Sequence, residues 1–186
     1  MFVKRLAIVF VLVLAMAVFY RSFGSAETGT GSLTLPQPAP SEGDNAPEFA
    51  VNSVEGRNFD LSERGVYVLT FWSTLNKDSN EAVPGFEDLA RKYEGDEVSF
   101  AAVYVNSAPR DASVPYTMLL DSTGELVSKY NVKRVPRLFV IKDGTVEYAQ
   151  DYYYEGYEKT LKEAIEEALA EEKGHRDADA SPDGQT

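Results

Sequence analysis

Apolar and polar positions divide the chain into four stretches. Residues 6–20 form an unbroken apolar run behind Lys4 and Arg5. Residues 25–45 are rich in Gly, Pro and small polar side chains, a composition that cannot bury a core and predicts a flexible linker. Between 46 and 172 the pattern alternates between short apolar runs and amphipathic segments. Residues 173–186 hold Gly, Asp, Ala and Ser and predict a disordered tail. The expected organisation is therefore a membrane-targeting segment over 1–24, a linker over 25–45, one folded domain over 46–172 and a tail.

Within the domain, residues 66–72 (Val-Tyr-Val-Leu-Thr-Phe-Trp) read as a buried central strand, because they are β-branched or aromatic and carry no charge. Shorter strands are expected at 46–54 and 58–61, a second apolar strand at 98–105, and an extended piece at 116–120. Ala82, Val83, Phe86, Leu89, Ala90 and Tyr93 recur at helical spacing and mark one face of a helix. Asn76 suits its N-cap, and Asp78 with Glu81 offers a capping box as a second start. Pro84 lies inside this helix and should kink it, and Gly95 should end it. A short helix is expected at 125–130. Arg137 to Lys142 and Thr145 to Gln150 form a hairpin about Asp143-Gly144, and a last amphipathic helix runs from 156 to 172 with Leu161, Ala164, Ile165, Ala168 and Leu169 inward. This order predicts an α/β domain with a mixed sheet.

The apolar run near the start would span about 22 Å as a helix, short for a hydrocarbon core. Two readings stand. Small residues at Gly24-Ser25-Ala26 suit signal-peptide cleavage and secretion. The aromatic flank Phe19-Tyr20-Arg21-Ser22-Phe23 suits an uncleaved single-pass anchor in a bacterial cytoplasmic membrane. Either way Lys4 and Arg5 stay inside and the domain is exported.

The net charge is −12, and all 30 acidic residues follow the apolar run. Such a surface repels nucleic acid, so no nucleic-acid partner is expected. The chain has no cysteine, which removes disulfides, thiol catalysis and thiolate metal sites. The carboxylates fit neither an EF-hand loop nor a histidine-containing zinc site, and no cofactor is expected.

Five motifs follow one another in an order that carries a family resemblance. Gly43-Asp44-Asn45-Ala46-Pro47-Glu48-Phe49 has the form G-x-x-A-P-x-F, and Leu61-Ser62 precedes the first core strand. Leu69-Thr70-Phe71-Trp72-Ser73-Thr74 resembles the strand that leads into a Trp-x-x-x-Cys-x-x-Cys site, and Pro84 stands at the helix-proline position. Leu120-Asp121, Gly124, Tyr130, Val132, Pro136, Phe139, Ile141 and Gly144 follow L-D-x-x-G … Y-x-V-x-x-x-P-x-x-F-x-I-x-x-x-G. On these motifs the chain resembles the thioredoxin-like superfamily, and within its redoxin (AhpC/TSA-like) group the membrane-tethered ResA/TlpA-type thiol–disulfide oxidoreductases. The resemblance implies a thioredoxin-like fold, a central mixed sheet flanked by helices, and a cis-proline at Pro136 beside which substrate peptides dock.

The departures bear on activity. Asn76 and Ser79 occupy the two cysteine positions, Leu75 replaces the tryptophan before the first, and Thr70 stands where thioredoxin carries a buried acid. The stretch between Val105 and Tyr116 is too short for the extra helix of ResA-like proteins. Thiol–disulfide exchange needs a thiolate, so the degenerate positions Asn76 and Ser79 are not catalytic. Serine catalysis lacks a base, because His175 lies in the tail and an exposed Lys77 is protonated at neutral pH.

The expected role is therefore a redox-inactive binding or assembly module of the cell envelope, with a protein or peptide partner at the old active-site face and the membrane as its anchor. The candidate binding residues are Trp72, Leu75, Lys77, Arg134, Val135, Pro136 and Arg137. Lys77, Lys133, Arg134 and Arg137 would make that face basic and suited to an acidic peptide, or would simply be solvated cations. The tyrosines at 148, 152, 153, 154 and 157 read as core or half-buried residues rather than binding anchors. The alternative function is an oxidoreductase of the cytochrome c maturation type that acts only with a cysteine-bearing partner.

Overall fold

A computed structural model describes residues 38–179, except 63, 96–97 and 110–112. The apolar run and most of the linker lie outside the described residues. The elements in chain order are β1 (Ala50–Asn52), β2 (Asn58–Asp60), β3 (Val66–Trp72), α1 (Lys77–Lys92), β4 (Val98–Tyr104), β5 (Thr117–Leu120), α2 (Glu125–Lys129), β6 (Arg137–Lys142), β7 (Thr145–Gln150) and α3 (Tyr157–Asp179). Five strands make one sheet in the order β5-β4-β3-β6-β7, and β1 with β2 makes a separate hairpin. β4 runs parallel to β3 and β5 to β4, whereas β6 and β7 are antiparallel to their neighbours, so the sheet is mixed as expected.

Every residue of β3 is buried, which explains its uniformly apolar sequence around Thr70. Alternation sends its side chains into two cores. Val66, Val68 and Trp72 pack with Phe86 of α1 and with Tyr157, Leu161 and Ile165 of α3. Tyr67, Leu69 and Phe71 pack on the other face with Phe49, Phe59, Leu126 and Tyr130. The sheet thus lies between a layer of two long helices and a layer formed by α2 and the β1–β2 hairpin, the α/β thioredoxin-like architecture.

The hairpin β6–β7 turns through Asp143 at φ 47° and Gly144 at φ 84°, the pair of positive φ values that a type I′ turn requires. Asp143 also ties the turn to the start of β3, its carboxylate accepting the Gly65 amide at 3.0 Å.

Two boundaries differ from the sequence expectation. Residues 40–46 are not free linker: Gly43 N–H donates to Val146 at 2.8 Å and Ala46 N–H to Gly144 at 2.7 Å, so this strap covers part of the β7 edge. Composition marks such a segment as coreless, but its backbone groups still satisfy an open strand edge. At the other end α3 continues past the expected stop near 172 to Asp179.

Candidate functional site

The loop between β3 and α1 holds the two positions where the sequence pattern expects cysteines. Asn76 has extended backbone angles (φ −100°, ψ 127°), and its side-chain oxygen accepts the Ser79 amide at 2.8 Å. It is the N-cap of α1. The Asp78–Glu81 capping box does not form as the helix start, because Asp78 already lies inside the first turn. There its negative charge complements the positive end of the helix dipole.

Ser79 is 1% exposed, and its hydroxyl oxygen accepts the Ser73 amide at 3.4 Å. A buried hydroxyl held this way is a filler at the end of the loop. Lys77 points outward and pairs with Glu81 at 3.2 Å, so it offers Ser79 no base. The loop is held further by side chains that sequence spacing does not connect. Asn80 donates to the Thr74 carbonyl at 3.1 Å, and Asn106 donates to the Thr74 hydroxyl at 3.0 Å. The signal for these was only the polar cluster Asn106-Ser107 just after a strand.

Trp72 does not serve as an exposed binding residue. It is 2% exposed, stands edge-on to Phe86 at 4.9 Å, and donates from Nε1 to Thr70 Oγ1 at 2.7 Å. Thr70, at the position of thioredoxin's buried acid, donates in turn to the Arg137 carbonyl at 3.2 Å. A neutral hydroxyl that bridges an indole and a strand carbonyl stabilises the sheet and moves no proton to a reaction. Leu75 is the opposite case. It projects from the loop at 86% exposure, the most exposed of the large apolar side chains described.

The Val135–Pro136 peptide bond is cis. β3 and β6 pair antiparallel with Phe71 opposite Arg137, and one further step of that register sets Pro136 beside Trp72, at the base of the 73–76 loop. Pro136 is buried, Val135 half-buried, and Lys133 and Arg134 exposed. The structure thus brings Pro136 to the degenerate loop.

Arg137 does not contribute to a basic face there. It is 6% exposed, and strand alternation turns it to the sheet face that carries Phe139 and Ile141, away from α1. Its guanidinium lies 4.8 Å above the Phe139 ring, donates through Nη2 to the Pro40 carbonyl at 3.0 Å, and pairs through Nη1 with Asp151. Burial pushes its pKa down. Sequence reasoning placed Arg137 by its neighbours in the chain and missed Asp151 and Pro40, which only the sheet brings to it.

Of the five tyrosines, Tyr157 is buried and donates to the Ala82 carbonyl at 2.6 Å, Tyr148, Tyr153 and Tyr154 are half-buried, and Tyr152 is exposed. Among the described residues of 105–116 there is no helix. No group of three or more metal-ligating side chains occurs among the described residues.

Known proteins share both the fold and the sequence pattern. ResA, a thiol-disulfide oxidoreductase of Bacillus thuringiensis subsp. konkukian, is 30% identical over 115 residues, which cover 56% of this chain and 66% of that protein, just under two thirds of its length. ResA of Bacillus subtilis is 25% identical over 140 residues, covering 70% of this chain and 74% of that one. The crystal structure of a Chlorobium tepidum protein assigned as thiol:disulfide interchange protein DsbE superposes with a TM-score of 0.62 at 26% identity, over 70% of this chain and 99% of that one. The AhpC/TSA family model matches residues 42–149, more than half of the chain. The protein belongs to the AhpC/TSA family, as a thioredoxin-like, ResA-type member without cysteine.

Proposed function

We propose that this protein is a redox-inactive thioredoxin-like module that holds a protein partner at the outer face of a bacterial cytoplasmic membrane. One observation carries the reading. The loop at the former cysteine positions is capped and hydrogen-bonded around Asn76 and Ser79, yet it presents Leu75 at 86% exposure instead of a thiol. A chain without cysteine has no nucleophile or leaving group for the exchange that the names of its relatives describe.

Leu75 and Val135 would form the apolar part of the docking face, with an extended partner segment laid along the backbone before Pro136. Burying a leucine contributes about 1.5–3 kcal/mol to such a contact. The apolar run at 6–20 supports tethering, with the domain outside.

The test has two arms. The purified full chain is assayed for insulin reduction, where turnover overturns the redox-inactive reading. A photo-crosslinking side chain is then placed at position 75 in membranes, with one at Glu94 as control. A discrete adduct specific to position 75, reduced at least ten-fold by Val135→Asp, supports docking. Equal labelling from both positions overturns it.

A further inference from the structure

A concave site lies beside Arg137 on the sheet face opposite α1, and no residue of the 73–79 loop lines it. It is a cavity of about 390 Å³ between the strap and the segment that follows α2. Ala39, Ser41 of the strap, Val132, Arg137 and Asp151 line it. Lys133 and Arg134, both exposed, stand at the rim. Three cations and one carboxylate therefore line one cavity, on a chain whose net charge is −12.

The hydrogen bonding of Arg137 is incomplete. A guanidinium has five N–H donors in a fixed fork. Here Nη2 serves the Pro40 carbonyl and Nη1 the Asp151 carboxylate, while Nε is buried with no acceptor among the described residues. A buried cation should be paired and fully bonded. Its one anionic partner among the described residues, Asp151, keeps 71% of its side chain exposed, whereas the arginine side chain is 8% exposed. The carboxylate is reachable from water, whereas the buried arginine needs an anion beside it, so Asp151 would leave only as another acceptor takes its place. Arg–carboxylate pairs favour two-pronged geometry, which leaves room for a better-placed acceptor.

We infer that this cavity is a carboxylate-binding site, in which an incoming carboxylate exchanges with Asp151 on Arg137 under the rim cations Lys133 and Arg134. Ala39 and Val132 provide apolar walls for a short methylene stem. A carboxylate, rather than a phosphate, fits because the group already seated on the guanidinium is a carboxylate and the rest of the wall is partly apolar. The bound ligand would touch the strap and the 131–134 segment at once and clamp them together. Neither Leu75 nor Val135 lines the cavity.

The test is a titration of the isotope-labelled full chain in detergent micelles at constant ionic strength, followed by NMR at the Ser41 and Val132 amides and the Arg137 Nε–H. The probes are glutarate, its neutral isostere glutaramide, inorganic phosphate, and the capped peptide Ac-Ala-Glu-Ala-NH2. Saturable shifts with a carboxylate probe and none with glutaramide are expected. Lys133→Glu with Arg134→Glu should weaken binding at least ten-fold, and Asp151→Asn should tighten it several-fold. Tighter binding of free glutarate identifies a small-molecule site, and tighter binding of the peptide an acidic segment. Leu75→Asp should leave the titration unchanged, so failure at the docking face is read separately. Absence of saturable shifts, an equal response to glutaramide, tighter binding of phosphate, or no effect of the charge reversals overturns the inference.

Discussion

The Asn76 side-chain oxygen accepts the Ser79 amide at 2.8 Å, so the two residues at the former cysteine positions are joined by a helix cap. The same two positions that would carry a disulfide now hold the first turn of α1 by hydrogen bonding. Asn76→Ala should therefore destabilise the protein by about 1 kcal/mol, whereas Asn76→Asp, which keeps an acceptor and adds a charge at the helix N-terminus, should be neutral or stabilising. Urea denaturation of the three proteins checks this.

Restoring the thiols tests whether the scaffold still supports the chemistry. In Asn76→Cys/Ser79→Cys the first sulfur sits at a helix N-terminus and the second in a buried position. The half-buried thiol at position 76 should titrate below the free-cysteine value of about 8.5, seen as a shifted pH profile of alkylation by iodoacetamide. Insulin reduction should appear in the double variant. Reactive thiols with no recovery of turnover would mean that Leu75 and the altered surroundings also block the reaction.

The helical core centres on Phe86, which stands edge-on to Trp72 at 4.9 Å, Tyr116 at 5.3 Å and Phe100 at 5.4 Å. Phe86→Ala should cost about 3–5 kcal/mol, because the rigid aromatic walls relax little into the space left. Phe86→Leu should cost less. The ranking is readable from denaturant midpoints at constant m-value.

Buried phenols make stability depend on alkaline pH. Burial raises the pKa values of Tyr104, Tyr116, Tyr130 and Tyr157 above the ordinary tyrosine range. Their folded values exceed the unfolded value of about 10, so this contribution to stability is complete below pH 10 and is lost as pH rises toward the folded values. Above about pH 10 the unfolded chain binds fewer protons than the folded one, and unfolding free energy should fall with pH. Tyr130 donates to the Pro47 carbonyl at 3.0 Å from an otherwise apolar setting. Tyr130→Phe should cost about 1 kcal/mol at neutral pH and flatten the alkaline slope by up to about 1.4 kcal/mol per pH unit. Urea titrations at a series of pH values separate the two effects.

Much of the fold was legible in the chain because the central elements are locally consistent. β3 is uniformly apolar except Thr70 and could only be a strand buried on both faces. Asp143-Gly144 specified its own turn, and the strands on either side begin and end where the pattern placed them. Asn76 was legible as a cap because capping is a contact across three residues. The strap was not, because its bonds to Val146 and Gly144 join segments about a hundred residues apart and involve backbone groups that every residue carries.

The sequence by itself determined the absence of cysteine, the order of strands and helices, and the location of the remodelled loop. These follow from residue identity and short-range periodicity. Tertiary structure alone decided which face each candidate serves. Leu75 stands out in solvent, Trp72 is sunk in the core, and Arg137, next in the chain to the cis-proline, is turned by strand alternation through to the other side of the sheet. There Pro40 and Asp151 meet its guanidinium. A one-residue step along a strand exchanges one face for the other, and only the packed sheet reveals what waits on each side.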